Sequence, residues 1–252
     1  AGPALGGLII MNIGYQGLFW IDGASCIVAI LIFWYLVKEK QKSSYLNKEQ
    51  PGEILTASVF RDGPFWIFLT ACLITGILFF QLFTTLPLYH KEQFDLTEFQ
   101  SGLLLTLNGF VIFLLEMPIV NYIEKNKVNK IKIITIGTFA MAMSMLLLLF
   151  NVWAGILIIM ILFMTIGEMF AFPFSNSFAL SRAPKGHEGR YMAIFTMSYS
   201  LAHILSAKTG MTIIENYGYQ ANWLFMGTLG FVGALLCYWV MVLVRREKKL
   251  KI

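Results

Sequence analysis

The sequence predicts an all-α membrane protein, and three observations carry that prediction. Of its 252 residues 58% are hydrophobic and only 13% are charged, about half the charged share usual in soluble domains. Seven apolar runs are each long enough, at about 20 residues, to cross a hydrocarbon core as a helix. The basic residues between those runs fall almost entirely on alternate connections.

Taken in order, residues 1–12 read as the end of one membrane helix. The full runs then cover 17–37, 65–88, 99–121, 132–150, 154–178, 190–213 and 220–244. Helices buried in lipid and protein are apolar all round, so run length rather than periodicity delimits them. The longest polar stretch, KEKQKSSYLNKEQPGE from Lys38, has the composition of a linker between two helical bundles. The expected organisation is therefore two last helices of a first bundle (1–37), a linker (38–64), a six-helix bundle (65–244) and a basic tail (245–252).

The net charge is +5, but its placement argues against nucleic acid as a partner. Lys38, Lys40, Lys42, Lys48 and Arg61 lie on one connection, Lys125, Lys127, Lys130 and Lys132 on the next but one. Arg182, Lys185 and Arg190 follow, and then Arg245, Arg246, Lys248, Lys249 and Lys251. The opposite side carries Lys91, and Lys208 lies within a run. The positive-inside rule then puts the basic connections and the C-terminus in the cytoplasm of a multi-pass plasma membrane protein, the bacterial inner membrane being the expected one. The three cysteines, Cys26, Cys72 and Cys237, each sit inside an apolar run with no metal-ligand spacing, and read as small apolar residues.

An internal repeat supports the two-bundle organisation. Gly6, Ile9, Ile10, Asn12, Gly14, Tyr15 and Gln16 match Gly210, Ile213, Ile214, Asn216, Gly218, Tyr219 and Gln220. Both stretches leave the membrane on the less basic side and turn back into it. Four full runs lie between the helix pair that carries the first copy and the pair that carries the second. The same symmetry places four before the first, so the chain is expected to lack an N-terminal part of its own bundle.

The opening residues Ala1-Gly2-Pro3-Ala4-Leu5-Gly6-Gly7 resemble the GPxxGG motif of the drug:proton antiporter group within the major facilitator superfamily. Gly167-Glu168, Pro173, Ala183-Pro184 and Gly189-Arg190-Tyr191-Met192 resemble the tenth helix and following loop of its bacterial multidrug-efflux members. The resemblance covers the whole chain and implies the fifth to twelfth helices of twelve in a major facilitator-type bundle. It also implies a monomer working on small molecules and protons by alternating access, with no cofactor. One departure stands at Glu124-Lys125-Asn126-Lys127, where the family's DRxGRR pattern would fall: the basic character remains, but with no glycine and no arginine neither the sharp turn nor the bidentate arginines are expected.

The residues able to carry chemistry are few. Outside the loops, ionisable groups at membrane depth are Glu116, Glu168, His203 and Lys208, with Asp22 near one end of its run. At 1.5 Å per residue, Glu168 lies roughly 21 Å, Glu116 roughly 25 Å, His203 roughly 16 Å and Lys208 roughly 9 Å from the less basic surface. A carboxylate removed from water holds its proton more tightly, which lets it bind and release protons near neutrality. Glu168, Glu116 and His203 are thus the candidates for proton coupling. An intramembrane charge costs roughly 3 kcal/mol on insertion scales and is rarely idle. Packing roles compete with this reading for each residue, Glu168 included.

Gln81, Thr84, Asn108, Phe172, Asn176 and Lys208 are candidates for the substrate cavity, as sparse polar and aromatic groups on the runs expected to line it. Interhelical hydrogen bonding is the alternative for the polar ones. A wall rich in Phe suits lipophilic, often cationic compounds. Pro118 and Pro173 are expected to kink their helices. The chain has no phosphate loop and no nucleophile triad, so an ATP-driven pump or a membrane enzyme lacks its chemistry. The leading expectation is a secondary transporter, proton-coupled and exporting small lipophilic compounds. The alternatives are a proton-coupled importer or sugar-efflux permease of the same fold, and, in another class, a non-transporting scaffold or receptor.

Overall fold

Capping residues start the helices where polar flanks meet the apolar runs. The computed structural model describes residues 2–36, 59–150 and 153–250. Lys38, Lys40, Lys42 and Lys48, most of the expected linker, and Lys251 lie outside them. Among the described residues the regular structure is helical: α1 (Gly2–Ile13), α2 (Tyr15–Leu36), α3 (Gly63–Thr84), α4 (Leu86–Phe94), α5 (Glu98–Lys125), α6 (Lys130–Leu147), α7 (Ile156–Arg182) and α8 (Glu188–Leu250), with a 3₁₀ turn at Val59–Arg61.

Asp62 caps α3, its Oδ1 accepting from the Phe65 N–H at 3.2 Å, and Pro64 fills the first turn, where its missing donor costs nothing. Thr97 and Gln100 cap the start of α5 reciprocally. Asn129 caps α6 by accepting from the Ile131 N–H at 3.0 Å. Pro118 and Pro173 are both carried inside continuous helices, α5 and α7. The run expected at 65–88 divides in two: α3 ends at Thr84 and Pro87 opens a short second helix, α4.

The last two runs form one long element broken at Gly218, whose φ of 81° lies outside helical geometry. At 1.5 Å per residue an unbroken helix of 63 residues would extend about 95 Å, three times the hydrocarbon thickness. The two arms instead fold back onto α3. A Cβ on Gly76 would meet Ala202 of the first arm, and one on Gly233 of the second arm would meet Ile74. Gly14, the repeat partner of Gly218, also has φ 81°. Only glycine takes that conformation at little cost, so the repeat seen in sequence is a repeat of the turn itself.

The turn between α5 and α6 is tight although it lacks glycine. Lys127 supplies the left-handed residue at φ 51°, and its N–H reaches the Glu124 carbonyl at 3.0 Å. This corrects the expectation that the sharp turn is lost with the glycine: neighbouring backbone hydrogen bonds offset the modest cost of a left-handed lysine.

The core has two parts along the bundle axis. Toward the less basic end Leu78, Leu82, Tyr89, Met141, Met145, Met160 and Trp223 pack together. Toward the basic end the cluster is Phe65, Phe68, Ile134, Phe174, Phe178, Tyr191 and Phe195. In contrast α2 exposes almost every side chain, Trp20 and Trp34 each at 80%, and α1 packs mainly against α5. Among the described residues six helices are long and apolar enough to cross a membrane, α8 among them with its two arms. The architecture is an all-α helical bundle of the kind expected.

Candidate functional site

Glu168 sits midway along α7, half-buried, on the side facing α5. Its Oε2 accepts from Asn108 Nδ2 at 3.0 Å, and the same amide donates to Thr165 Oγ1 at 2.9 Å. Thr165 in turn donates its hydroxyl to the Ile161 carbonyl at 2.7 Å. Asn108 is 8% exposed, so both of its N–H groups are committed in a largely dry setting. Thr165, one turn before Glu168, was legible as a same-face neighbour by its i, i+3 spacing, yet the sequence reading does not single it out.

Glycines hold α7 where it is. A Cβ on Gly137 of α6 would stand 2.8 Å from the Gly167 carbonyl oxygen and the Ala171 nitrogen. One on Gly167 would stand 2.8 Å from the Gly137 carbonyl oxygen. The two backbones therefore touch directly behind Glu168, and the carboxylate is pressed toward α5. Glu116 follows Asn108 by eight residues on α5, about 12 Å along the axis. It is half-buried. Glu168, Asn108 and Thr165 are thus one hydrogen-bonded group, with Glu116 further along α5.

A continuous aromatic wall joins α3, α7 and α8. Phe79 meets Phe80 and Phe83 at centroid distances of 5.3 Å and Phe172 at 4.8 Å. Phe172 meets Tyr199 at 5.5 Å, and Phe80 lies against the exposed His203 ring at 4.5 Å. The wall thus links Phe172 and His203 of the expected site. Thr84 returns its hydroxyl to the Phe80 carbonyl at 2.9 Å. Asn176 and Lys208 are exposed.

Gln81 stands elsewhere, fully enclosed among helices. Its amide donates to Ser206 Oγ at 2.9 Å and to the Ser206 carbonyl at 3.0 Å, while its oxygen accepts from Thr85 at 2.5 Å and from Asn222 at 3.3 Å. This is interhelical bonding that pins both arms of α8 to α3. In the motif at the start of the chain, Gly2 and Pro3 lie within α1, Gly6 faces Leu18, and Gly7 marks a close approach. A Cβ on Gly7 would stand 2.8 Å from Phe99 Cα and 3.0 Å from the Glu98 carbonyl oxygen.

At the basic end a charged clasp joins helix ends. Arg182 donates from Nε and Nη2 to the two Asp62 oxygens at 2.8 and 2.7 Å, and from Nη1 and Nη2 to Glu247 at 2.5 and 2.9 Å. Tyr191 adds its hydroxyl to Asp62 at 3.2 Å. Burial alone would raise the Asp62 carboxyl, but the bonds and charge of Arg182, with the Phe65 N–H and Tyr191, hold it below its ordinary value of 3.8. Sequence reasoning treats Arg182 as a topology marker. The Asp62-Gly-Pro capping signal was the available hint that this carboxylate is placed.

Comparison with known proteins places this architecture. A 20% identical relative over 265 residues, described as a Na(+), Li(+), K(+)/H(+) antiporter of Planococcus maritimus, covers 95% of this chain and 62% of its own length. An MFS-type transporter of Bacillus subtilis is 22% identical over 224 residues, covering 87% of this chain and 55% of its own. Two solved structures of POT family transporters, one with a thioalcohol-conjugated peptide and one with 5-aminolevulinic acid, superpose with TM-scores of 0.59 and 0.57. Their identities are 21% and 20%, and each match covers 93% of this chain and 54% of the other. These relatives are described as transporters, and the chain spans 54–62% of their length. The sequence profile described as Major Facilitator Superfamily matches residues 1–207, more than three-quarters of the chain. On that match the chain belongs to the major facilitator superfamily.

Proposed function

We propose that this protein is a secondary transporter that exchanges protons for a small lipophilic, cationic compound by alternating access, with Glu168 carrying the proton. The observation that carries this reading is the Asn108–Glu168 hydrogen bond in the middle of two membrane-length helices. A carboxylate held there needs either a proton or a cation as its partner, and the two compete for the same oxygens. Exchange follows from that competition. Glu116 supplies a second acid along the same path. The aromatic wall through Phe79, Phe80 and Phe172 offers apolar area and cation–π faces to the organic part of the substrate.

Under this reading α1 and α2 are the last helices of a preceding bundle, as the matched turns at Gly14 and Gly218 support, and α3 to α8 form the second bundle. The basic end faces the cytoplasm of a bacterial plasma membrane. The antiporter relative from Planococcus maritimus favours a second reading, in which the exchanged ion is an inorganic monovalent cation. The oxygens of Glu168, Asn108 and Thr165 are of the hard-donor type such an ion prefers.

Proteoliposomes containing the full chain and a trapped pH dye test both. With an acid lumen, a lipophilic cation such as tetraphenylphosphonium added outside is expected to drive lumenal alkalinisation, and Glu168→Gln to abolish it. A response to sodium, lithium or potassium chloride alone would replace the organic substrate with an inorganic one. A response that Glu168→Gln leaves intact would refute the assignment of the proton site.

A further inference from the structure

A cavity of about 540 Å³ opens at the basic end, between the start of α6 and the ends of α7 and α8. Lys127, Lys130 and Arg245 line its polar side, and Ile131, Phe178 and Met241 its apolar side. Among the described residues no carboxylate lines it. Arg182 also borders it, but its charge is already matched by Asp62 and Glu247 in the clasp. Three cations thus converge on one site without an anionic lining partner. Lys130 is held in place by its ammonium donating to Ser177 Oγ at 2.5 Å. The Lys127 backbone occupies the left-handed position of the α5–α6 turn at the cavity's edge.

The surface leading into this cavity is apolar. Phe139 of α6 and Phe231 of α8 pack edge to face at 5.3 Å, so the flanks of the two helices form one surface. Phe139 and Leu235 on it are exposed, and so are Tyr238 and Trp239. Tyr and Trp gather at the headgroup level of membranes, and these two precede Arg245 by about 9–11 Å along the helix. The site therefore joins an acyl-chain surface to a cationic pocket at interfacial depth. Basic pockets between membrane helices bind phosphate-bearing lipid headgroups.

We infer that Lys127, Lys130 and Arg245 form a binding site for the headgroup of an anionic phospholipid, whose acyl chains lie along the exposed faces of α6 and α8. A free phosphate shares the headgroup's chemistry but makes no use of the apolar approach, which is why the lipid is the occupant assigned. The site is separate from Glu168 and stands whether or not the transport reading holds.

The test is native mass spectrometry of the full chain in detergent with phosphatidylglycerol and phosphatidylcholine, each also with excess inorganic phosphate. The wild type is expected to retain phosphatidylglycerol selectively. Lys127→Gln/Lys130→Gln/Arg245→Gln is expected to weaken retention on the order of a hundredfold, and Arg245→Gln alone about fivefold. Lys125→Gln/Lys132→Gln/Lys249→Gln, which removes equal charge outside the cavity, is expected to leave retention near wild type. If the first triple variant does not fold, the single variant decides. Equal loss in both triple variants, no preference for phosphatidylglycerol, or its displacement by inorganic phosphate would each overturn the assignment.

Discussion

Arg182→Leu is expected to be the most damaging single change at the basic end. Arg182 makes four charge-assisted hydrogen bonds of 2.5–2.9 Å to Asp62 and Glu247. The side chains are 19% exposed for Arg182, 11% for Asp62 and 38% for Glu247. Removing the cation leaves Asp62 charged and enclosed, a loss of about 3–5 kcal/mol when a buried pair is broken from one side. For a chain of this size each kcal/mol corresponds to about 2–4 °C, so the unfolding midpoint should fall by roughly 6–20 °C. Glu247→Gln removes the more solvated partner and should cost under about 1 kcal/mol. The assay is thermal unfolding of the full chain in detergent, followed by tryptophan fluorescence. The clasp also predicts a pH dependence. Asp62 has a lowered value in the fold, so its contribution is present above the ordinary 3.8 and is lost as pH falls through the folded value. Asp62→Asn should remove that acid-side decline. An Arg182→Leu protein as stable as wild type, or one no worse than Glu247→Gln, would refute the reasoning.

Three further outcomes follow from the packing. His90 is 2% exposed with both ring nitrogens unpartnered, and burial pushes it down to about 4. Its neutral form is favoured in the fold, so stability should decline as pH falls from about 6.5 toward 4, by up to about 3 kcal/mol, and His90→Phe should flatten that decline in a melting series. Gly137→Val forces α6 from α7 where backbones touch, and should cost about 1–3 kcal/mol while displacing Glu168. Melting together with exchange activity reads both effects. Gln81→Leu leaves Ser206, Thr85 and Asn222 without their shared partner, and should destabilise by about 1–3 kcal/mol in the same melting assay.

Membrane helices announce themselves by length, so the sequence located α1 to α3 and α5 to α7 within a few residues, missed the short α4 as an element of its own, and separated the arms of α8 that the backbone joins through Gly218. The polar contacts were less legible because sequence supplies depth along a helix but no lateral distance. Glu168 and Asn108 were both visible as polar residues in apolar runs, yet nothing in the chain order shows that one amide serves both Glu168 and Thr165. Gln81 looked equally available for a cavity, and its enclosure depends on Ser206, 125 residues away in the chain. Arg182 reads as a loop charge and Asp62 is not singled out, since their pairing is set by where α3 starts and α7 ends. Gly137 and Gly167 became informative only once α6 and α7 were seen in contact.

The claim that Glu168 carries the exchanged proton is tested most directly by proton release. A lipophilic cation is added to the purified full chain in weakly buffered detergent, and the pH change is recorded for wild type and Glu168→Gln. The account predicts release of protons from the wild type and none from the variant. Equal release from both proteins would contradict it.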